Sequence, residues 1–428
     1  MSVNAIQRPL YGPWEGESTI VIGIDIGTTH SGVAFAFLEQ GVKQGIHHVT
    51  KWPGQELHHQ QSRIPTLVWY DTNQRAVSFG AEARLHNIEE AEDNGWFLAK
   101  HFKLHLYRNE HNLNIPSLPP GVSLQQIYSD FLGYLLEHTR VFFEEHIVDG
   151  IRIWERYSPT VQIVIAHPNG WGIREQAFLR LAAVNAGLVD AAKAERNVQF
   201  VTEAEASVHF CIHHTNLGDH LQPGTNFVVC DAGGSTVDTT LYSVTSAPPV
   251  LELKEKRTSA CVQAGAIFVD FEVEKFLQRS LADAGLDQVQ VADYVKAGVK
   301  DFEYHAKRAF NGRTDGQSIT VTGFHFNNPA IGVRRGRMTI SGPVIKGFFD
   351  VCVKDIIGSI DVQLSGFNVS VGLEIVLTYV ENYRSAMGHK DVQLVSHMIL
   401  PLKRLQMELC YGVLRIGLQP APHDSPMA

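Results

Sequence analysis

The sequence predicts an α/β protein built from two lobes, and three observations support this fold class. Its 428 residues exceed what one hydrophobic core usually holds. Apolar, β-branched runs alternate along the chain with segments of helical period, which is typical of layered sheets and helices. One pattern, an apolar strand that ends in Asp and continues into Gly, Thr and Ser, occurs at 18–32 and again at 226–244.

The apolar runs predict strands at 19–25, 32–37, 161–167, 198–201 and 226–232. Helical period predicts one helix from Leu124 and another from Ile173, and Ala186-Gly187 suits the C-terminal cap of the second. A polar stretch from His213, HHTNLGDHLQPGT, predicts the boundary between the lobes. The predicted organisation is an N-terminal extension at 1–17, lobe I at 18–223, lobe II at 224–370 and a divergent or truncated C-terminal segment at 371–428.

Composition excludes several classes of partner. With 36 Lys and Arg against 45 Asp and Glu, the net charge of -9 gives no general reason to bind nucleic acid or anionic lipid. No apolar run approaches the roughly 20 residues of a membrane-spanning helix, and the first residues do not resemble a signal peptide. Five scattered cysteines favour a reducing compartment, cytoplasmic or nuclear. The segment CIHH at 211–214 lacks the second ligand pair of a zinc site.

The first loop pattern places an acid beside a glycine- and threonine-rich turn. Asp25 ends an apolar strand, and Gly27, Thr28 and Thr29 follow. Backbone N–H groups of such a turn can hold phosphate oxygens, and the carboxylate can hold Mg²⁺ or its waters. A plain β-hairpin, with a glycine turn and an acid bound by turn amides, would give the same pattern. This stretch alone leaves both interpretations open.

The second loop pattern repeats the first one, which favours the phosphate-binding interpretation. Asp231 again ends an apolar strand, and the turn that follows contains Gly233, Gly234, Ser235 and Thr236 before another strand begins. One hairpin of this kind is ordinary. Two of them suggest a pair of loops that face each other across a phosphate site.

The two loops, IDIGTTHSGVAF and DAGGSTVDTTLY, resemble the phosphate loops of the actin, sugar-kinase and DnaK-type chaperone ATPase superfamily. They are most similar to the seventy-kilodalton heat-shock proteins. VQIVIAHPNGWGIREQAFLRLAAVNAGL and VQFVTEAEASVHF resemble further segments of that family in the family's order, so the similarity spans roughly residues 18–310. The resemblance implies the actin-like ATPase fold, two α/β lobes around a cleft that binds ATP or ADP with Mg²⁺.

The resemblance also implies roles for individual residues. Asp25 and Asp231 match the acids that orient Mg²⁺ through its waters. The positions that would surround the phosphates are Gly27, Thr28, Thr29, His30, Gly233, Gly234, Ser235 and Thr236. The predicted catalytic residues are Lys103 and Glu203, which would position the attacking water, together with Asp231 and Asp238. Lys307 and Arg308 match the pair on the adenine and ribose side.

Several of these residues also have a simpler interpretation. Lys103 could be a surface lysine, and Lys100 is its rival for the catalytic position. Glu203 could be a solvated loop acid, and Lys307 with Arg308 could form one charged helix face.

The chain also departs from the family pattern. His30 stands where the family has tyrosine, Ser235 replaces the third glycine of the second loop, and Ala204 replaces a proline. No Gly-Gly turn follows residue 370, so we expect an incompletely closed adenosine side and a loosely packed segment at 371–428. We expect the residues between the two predicted lobes and Ala428 to leave little room for a peptide-binding domain.

Three functions are consistent with these patterns. The first is a heat-shock-protein-like ATPase that hydrolyses ATP slowly with water as nucleophile. The second is a small-molecule kinase of the same fold, and the third is a nucleotide-binding scaffold without turnover. The nucleotide is the only partner that the patterns predict; client and co-chaperone proteins are not identifiable from them.

Overall fold

A computed structural model describes residues 13–55, 61–85, 88–107, 115–214, 221–246, 252–282, 284–310, 315–366 and 374–377. Within them the strands are β1 (Thr19–Ile26), β2 (His30–Leu38), β3 (His47–His48), β4 (Arg63–Pro65), β5 (Leu67–Tyr70), β6 (Ala76–Phe79), β7 (Phe97–Lys100), β8 (Gln162–His167), β9 (Val198–Thr202), β10 (Asn226–Ala232), β11 (Val237–Ser246), β12 (Glu252–Glu255), β13 (Ala260–Val262), β14 (Gln317–Thr320), β15 (Val333–Arg334), β16 (Arg337–Ile340) and β17 (Glu374–Leu377).

The α-helices of these residues are α1 (Gly80–Leu85), α2 (Ile88–Asp93), α3 (Leu124–His146), α4 (Gly150–Tyr157), α5 (Ile173–Asn185), α6 (Ala194–Asn197), α7 (Glu203–His214), α8 (Ala266–Ala282), α9 (Gln288–Asp301), α10 (Lys307–Ala309) and α11 (Gly342–Leu364). A 3-10 helix at Phe102–Leu106 follows β7, and a π-helical turn at Phe302–Ala306 joins α9 to α10.

The first sheet has the order β3-β2-β1-β8-β9, with β4 also paired to β2. β1 and β2 form an antiparallel hairpin, whereas β8 pairs with β1, and β9 with β8, in parallel. β1 is buried along almost its whole length, as expected for a central strand that neighbours cover on both faces. Its carboxyl end carries Asp25, directly before the turn at 27–29.

The second sheet has the order β12-β11-β10-β17, with β13 also paired to β11. β10 and β11 form an antiparallel hairpin, and β17 lies parallel to β10 on its other side. Both large sheets therefore share a central arrangement, in which a hairpin's first strand also pairs with a parallel strand. In each sheet an acid lies near the carboxyl end of this first hairpin strand, just before the turn. The acid is Asp25 in the first sheet and Asp231 in the second.

Each large sheet has its own hydrophobic core. The core of the first sheet includes Ile22 and Ile24 of β1 and the apolar face of α3, with Phe131 and Leu135 fully buried. Ser123 caps α3 by accepting a hydrogen bond from the backbone of Gln126. A separate core lies between the second sheet and the apolar faces of α8 and α11.

The predicted α/β class is present, and the five predicted strands correspond to β1, β2, β8, β9 and β10. The helices predicted from Leu124 and Ile173 are α3 and α5. Sequence reasoning missed β17, which falls in a stretch with no recognisable motif. The division into lobes I and II remains a prediction, and the expected loose packing of 371–428 lies outside the described residues apart from β17.

Candidate active site

The first loop, at 27–30, joins β1 to β2 and is fixed from behind by Thr66. The Thr66 hydroxyl donates to the Gly27 carbonyl at 2.8 Å, and the Thr66 backbone N–H donates to the Thr29 carbonyl at 2.9 Å. A Cβ atom at Gly27 would lie only 2.4 Å from the His30 carbonyl oxygen. Only glycine therefore fits this turn without a shift of backbone.

The second loop, at 233–236, is held by the amino end of α8. The carbonyls of Gly233 and Gly234 accept hydrogen bonds from the backbone of Ala266 and Ile267 at 3.1 and 2.9 Å. Gly265 donates to the Ser235 carbonyl, and a Cβ atom at Gly265 would lie 2.4 Å from the Ser235 nitrogen. Within the loop, Gly233 donates to the Thr236 carbonyl at 2.8 Å. The carbonyls of Gly233, Gly234 and Ser235 are thus turned toward the amino end of α8.

The two loops meet each other directly. The hydroxyls of Thr28 and Ser235 lie 2.6 Å apart although 207 residues separate them in the chain, and both side chains are buried. A Cβ atom at Gly234 would lie 2.8 Å from the Thr29 hydroxyl. The structure thus brings together the two loops that sequence reasoning predicted to face each other.

Lys103 and Glu203 form a buried ion pair beside these loops. The Lys103 ammonium lies 2.7 Å from Glu203 Oε1, and the two side chains are only 5% and 12% exposed. Burial lowers the pKa of Lys103, but the charges of Glu203, Asp25 and Asp238 more than offset this and leave it raised. The ammonium also lies 5.4 Å from the ring centre of Trp171. Lys103 is therefore not the surface lysine of the simpler interpretation, and its rival Lys100 is exposed.

Asp238 is the most strongly perturbed acid near the pair. Asp238 lies on β11, with Asp231 of β10 opposite it on one side and Cys261 of β13 opposite it on the other. The three residues therefore form one row across the sheet. Burial raises the pKa of Asp238 to about 8, and the neighbouring charges of Glu203 and Asp231 act in the same direction. Its Oδ1 atom has no hydrogen-bond partner among the described residues. A carboxyl with this pKa can exchange a proton near neutral pH.

Asp25 is bound by a residue that sequence reasoning did not consider. Arg63 of β4 forms an ion pair with Asp25 Oδ2, and its side chain is 12% exposed. The predicted Mg²⁺ would reach Asp25 through its waters, but this carboxylate already has a guanidinium against it. The residues around Asp25 therefore do not fit a water-mediated metal, and the described residues contain no group of three or more metal-ligating side chains.

A cluster of three guanidinium groups surrounds His30. Burial, together with the charges of Arg84, Arg63 and Arg308, lowers the pKa of His30 to about 3. Arg84 lies 3.4 Å from His30 Nε2, while Arg84 and Arg308 lie 5.3 and 5.6 Å from the ring centre of Tyr304. The predicted phosphate-side residue His30 and the predicted nucleoside-side residue Arg308 are thus brought into one region.

Lys307 is engaged within its own part of the chain. Its ammonium donates to the Ala266 carbonyl and to Asp270 Oδ2, each at 2.7 Å. Burial raises the pKa of Asp270 to about 6, although the charge of Lys307 opposes this shift. Lys307 therefore supports the amino end of α8, and its predicted contact with adenine remains a prediction.

Four residues of the site were missed by sequence reasoning, namely Arg63, Arg84, Trp171 and Asn169. Trp171 and Asn169 lie in the quoted HPNGW segment, and Asn169 donates to the Thr240 hydroxyl of β11 at 2.8 Å. The polar and aromatic residues of that segment follow β8 directly, and this position at the end of a buried strand is the sequence signal that marks them. No local pattern marks Arg63 or Arg84.

Comparison with known proteins gives three relatives whose names agree with the resemblance. The chain is 26% identical over 324 residues to heat shock 70 kDa protein 12B of Homo sapiens, which covers 62% of this chain and 46% of that protein. It is 23% identical over 356 residues to heat shock 70 kDa protein 12A of Homo sapiens and of Mus musculus, covering 71% of this chain and 52% of each relative. The chain is a divergent homologue of these heat-shock proteins. No family model matches it.

The homology confirms the predicted resemblance to the seventy-kilodalton heat-shock proteins. The mixed α/β sheets agree with the actin-like ATPase fold of such proteins. This heat-shock homologue spans about half the length of the relatives it matches, so their activities are not transferred with the similarity. In the part of the chain that the structure describes, no helix has the length and apolar character to cross a bilayer.

Proposed function

We propose that this protein binds ATP or ADP between the 27–30 and 233–236 loops and hydrolyses ATP slowly with water as nucleophile. The observation that carries the proposal is the buried Lys103–Glu203 pair beside two loops that touch at Thr28 and Ser235. Phosphoryl transfer depends on positioning and charge stabilisation more than on covalent chemistry. A fixed ammonium beside two backbone turns supplies both.

Each residue has a distinct part in the proposed reaction. Lys103 would donate to the attacking water and to the charge that develops on the terminal phosphate. Glu203 would hold the Lys103 ammonium in place through the 2.7 Å contact. Asp238 would take up the proton that the water loses in those molecules in which its carboxyl is ionised, a fraction that grows as the pH approaches its pKa of about 8. Gly27 to His30 and Gly233 to Thr236 would contact the phosphates.

Magnesium is the cofactor that heat-shock relatives of this kind imply. In this chain the carboxylate of Asp25, one of its two predicted partners, is already bound by Arg63. The proposed function therefore rests on the two loops and the Lys103–Glu203 pair, with no step that needs the ion. We propose a cytoplasmic or nuclear location with a nucleotide partner and no nucleic acid.

A nucleotide-binding scaffold without turnover remains the second candidate, and one observation favours it. Thr28 and Ser235 are hydrogen-bonded to each other at 2.6 Å, so phosphates can enter between the loops only if this contact opens. A protein in which the opening is rare would bind nucleotide weakly and turn it over hardly at all. The rate of turnover, rather than binding, separates the two candidates.

The deciding experiment measures phosphate release from ATP by the purified protein, alone and with a panel of sugars and polyols. Slow release that is independent of acceptor supports the ATPase. Formation of ADP that requires one acceptor and releases no inorganic phosphate would indicate a small-molecule kinase, because the phosphoryl group then passes to the acceptor. Thermal unfolding with ATP measures binding separately, because a ligand at about a hundredfold excess over Kd stabilises the native state by about 2.7 kcal/mol. No stabilisation and no turnover would reject nucleotide binding.

A further inference from the structure

The ion pair between Arg63 and Asp25 is built into the backbone pairing of the first sheet. Asp25 of β1 lies opposite Gly32 of β2, and Gly32 lies opposite Arg63 of β4, so the three residues form a row across three strands. Neighbours in such a row point to the same face of a sheet. Gly32 has no side chain, and the long side chain of Arg63 can therefore pass over it to reach Asp25.

Arg63 also contacts the first loop itself. Its Nη1 donates to the His30 carbonyl at 3.2 Å and would lie 3.7 Å from a Cβ atom at Gly27. The guanidinium therefore lies against both ends of the turn proposed to contact phosphates. The Arg63 side chain is only 12% exposed, and its charge is compensated by the Asp25 carboxylate, whose side chain is 3% exposed. A buried pair of this kind resists separation, because each ion would be left uncompensated.

Two further guanidinium groups lie near this pair without such compensation. Arg84 and Arg308 lie 5.3 and 5.6 Å from the centre of the Tyr304 ring, and the charges of both act on His30. Neither of them forms an ion pair with any carboxylate that the structure describes. Like charges brought together in this way favour an anion between them. Guanidinium is also the side chain best suited to bind phosphate with two parallel hydrogen bonds.

We infer that Arg63 supplies the cation beside Asp25, and that with Arg84 and Arg308 it makes this site bind the polyphosphate of a nucleotide that carries no divalent metal. The inference rests on the proposed function, because it concerns the same loops. A hydrated Mg²⁺ at Asp25 would have to displace the guanidinium or lie against its positive charge. The row Asp25–Gly32–Arg63 thus replaces a metal by a side chain of the protein itself.

The test is calorimetric titration of the full chain with ATP, first in excess EDTA and then in excess Mg²⁺. We expect the two dissociation constants of the wild-type protein to agree within about threefold. Arg63→Gln should weaken binding in EDTA by about tenfold or more and should make binding respond to Mg²⁺, because Asp25 is released. Arg152→Gln is the matched control, since Arg152 is exposed on α4, and it should change neither constant.

The outcomes distinguish this inference from the proposed function. Binding of ATP by the wild-type protein only in Mg²⁺, or about tenfold tighter there, overturns the inference and leaves nucleotide binding standing. Absence of binding in both buffers rejects both. If Arg63→Gln does not fold, as judged by its melting curve, Arg84→Gln takes its place. It should likewise weaken binding in EDTA, and unchanged binding by that variant counts against the inference.

Discussion

The hydroxyls of Thr28 and Ser235 are hydrogen-bonded at 2.6 Å and join the two loops that the sequence pattern pairs. Each residue belongs to the turn that follows an acid at the carboxyl end of a central strand. The contact is buried, so either hydroxyl would lose its partner without gaining water if the other were removed. The contact between the two loops therefore depends in part on one hydrogen bond.

We predict that Thr28→Val and Ser235→Ala each lower the free energy of unfolding by about 1 kcal/mol, because a buried hydroxyl loses its partner. The double variant should cost less than the sum, since both changes remove the same bond. Chemical denaturation measures all three values. Additive losses would show that the two hydroxyls are not coupled in solution.

The pair Thr239 and Ser359 provides a matched control for the functional part of this prediction. Its hydroxyls are also buried and 2.6 Å apart, but Ser359 lies on α11 and neither residue belongs to a loop of the site. Thr239→Val should destabilise the protein by a similar amount and leave ATP affinity unchanged. Thr28→Val should change ATP affinity as well. Equal effects on affinity would mean that stability alone is being measured.

We predict that Lys103→Ala slows ATP hydrolysis about 10²-fold or more, a change of about 2.7 kcal/mol in the activation barrier. Nucleotide affinity should stay within about tenfold, because the proposed role of the ammonium is in the transition state. Phosphate release and calorimetry measure the two quantities. Lys100→Ala is the control three residues away, on an exposed side chain, and should do much less. A larger effect of Lys100→Ala would assign the catalytic position to that residue.

The contrast between these two lysines shows what the sequence could and could not establish. The pattern WFLAKHFKLHL placed a catalytic lysine near the site, and the resemblance favoured Lys103 over Lys100 without a physical reason. The structure supplies one, because β7 ends at Lys100 and a 3-10 helix from Phe102 turns the next lysine inward. A change from strand to 3-10 helix within three residues is not visible in hydrophobic period alone.

Arg63 is a residue of the site that no local sequence pattern indicates. Strands, loops and both acids follow from local patterns, because an apolar run and a glycine turn express themselves over a few residues. The Arg63–Asp25 pair spans 38 residues and depends on β4 pairing with β2, which no local signal encodes. β17 was missed for a similar reason, since its four residues become a strand by pairing with β10. Sequence reasoning thus found the loops and missed the side chains that reach them through sheet register.

We predict that Asp238 makes stability fall as pH rises from 6.5 to 8. Its pKa is raised to about 8 by burial, so over this range the folded protein keeps a proton that the unfolded chain has already lost. The expected slope is up to about 1.4 kcal/mol per pH unit, and the loss is complete above the folded pKa. Below pH 6.5 buried histidines such as His30 act in the opposite sense, because their lowered pKa makes the unfolded chain bind more protons.

Denaturation at several pH values tests this with two variants. Asp238→Asn should flatten the slope between pH 6.5 and 8, since the amide has no proton to lose. Asp270→Asn should leave that slope unchanged, because the pKa of Asp270 is raised only to about 6 and its contribution ends below the range. A steep slope that survives Asp238→Asn would place the titrating group elsewhere.

Gly265 supports the second loop from the amino end of α8, and its lack of a side chain is essential there. A Cβ atom would lie 2.4 Å from the Ser235 nitrogen and 2.6 Å from the Gly234 carbonyl carbon, and neither backbone atom can move aside without moving the loop. We therefore predict that Gly265→Ala lowers the free energy of unfolding by about 2 kcal/mol or more, which is typical of overpacking in a tight site. It should also weaken ATP binding, because the carbonyls of 233–235 lose their alignment with α8.

Gly358→Ala on α11 is the control for this prediction. A Cβ atom there meets nothing within 4 Å, and alanine should stabilise that helix by about 0.5–1 kcal/mol with no change in ATP affinity. A Gly265→Ala protein with wild-type stability would show that the loop can move away from α8, and unchanged ATP affinity in that protein would separate the 233–236 loop from the nucleotide site.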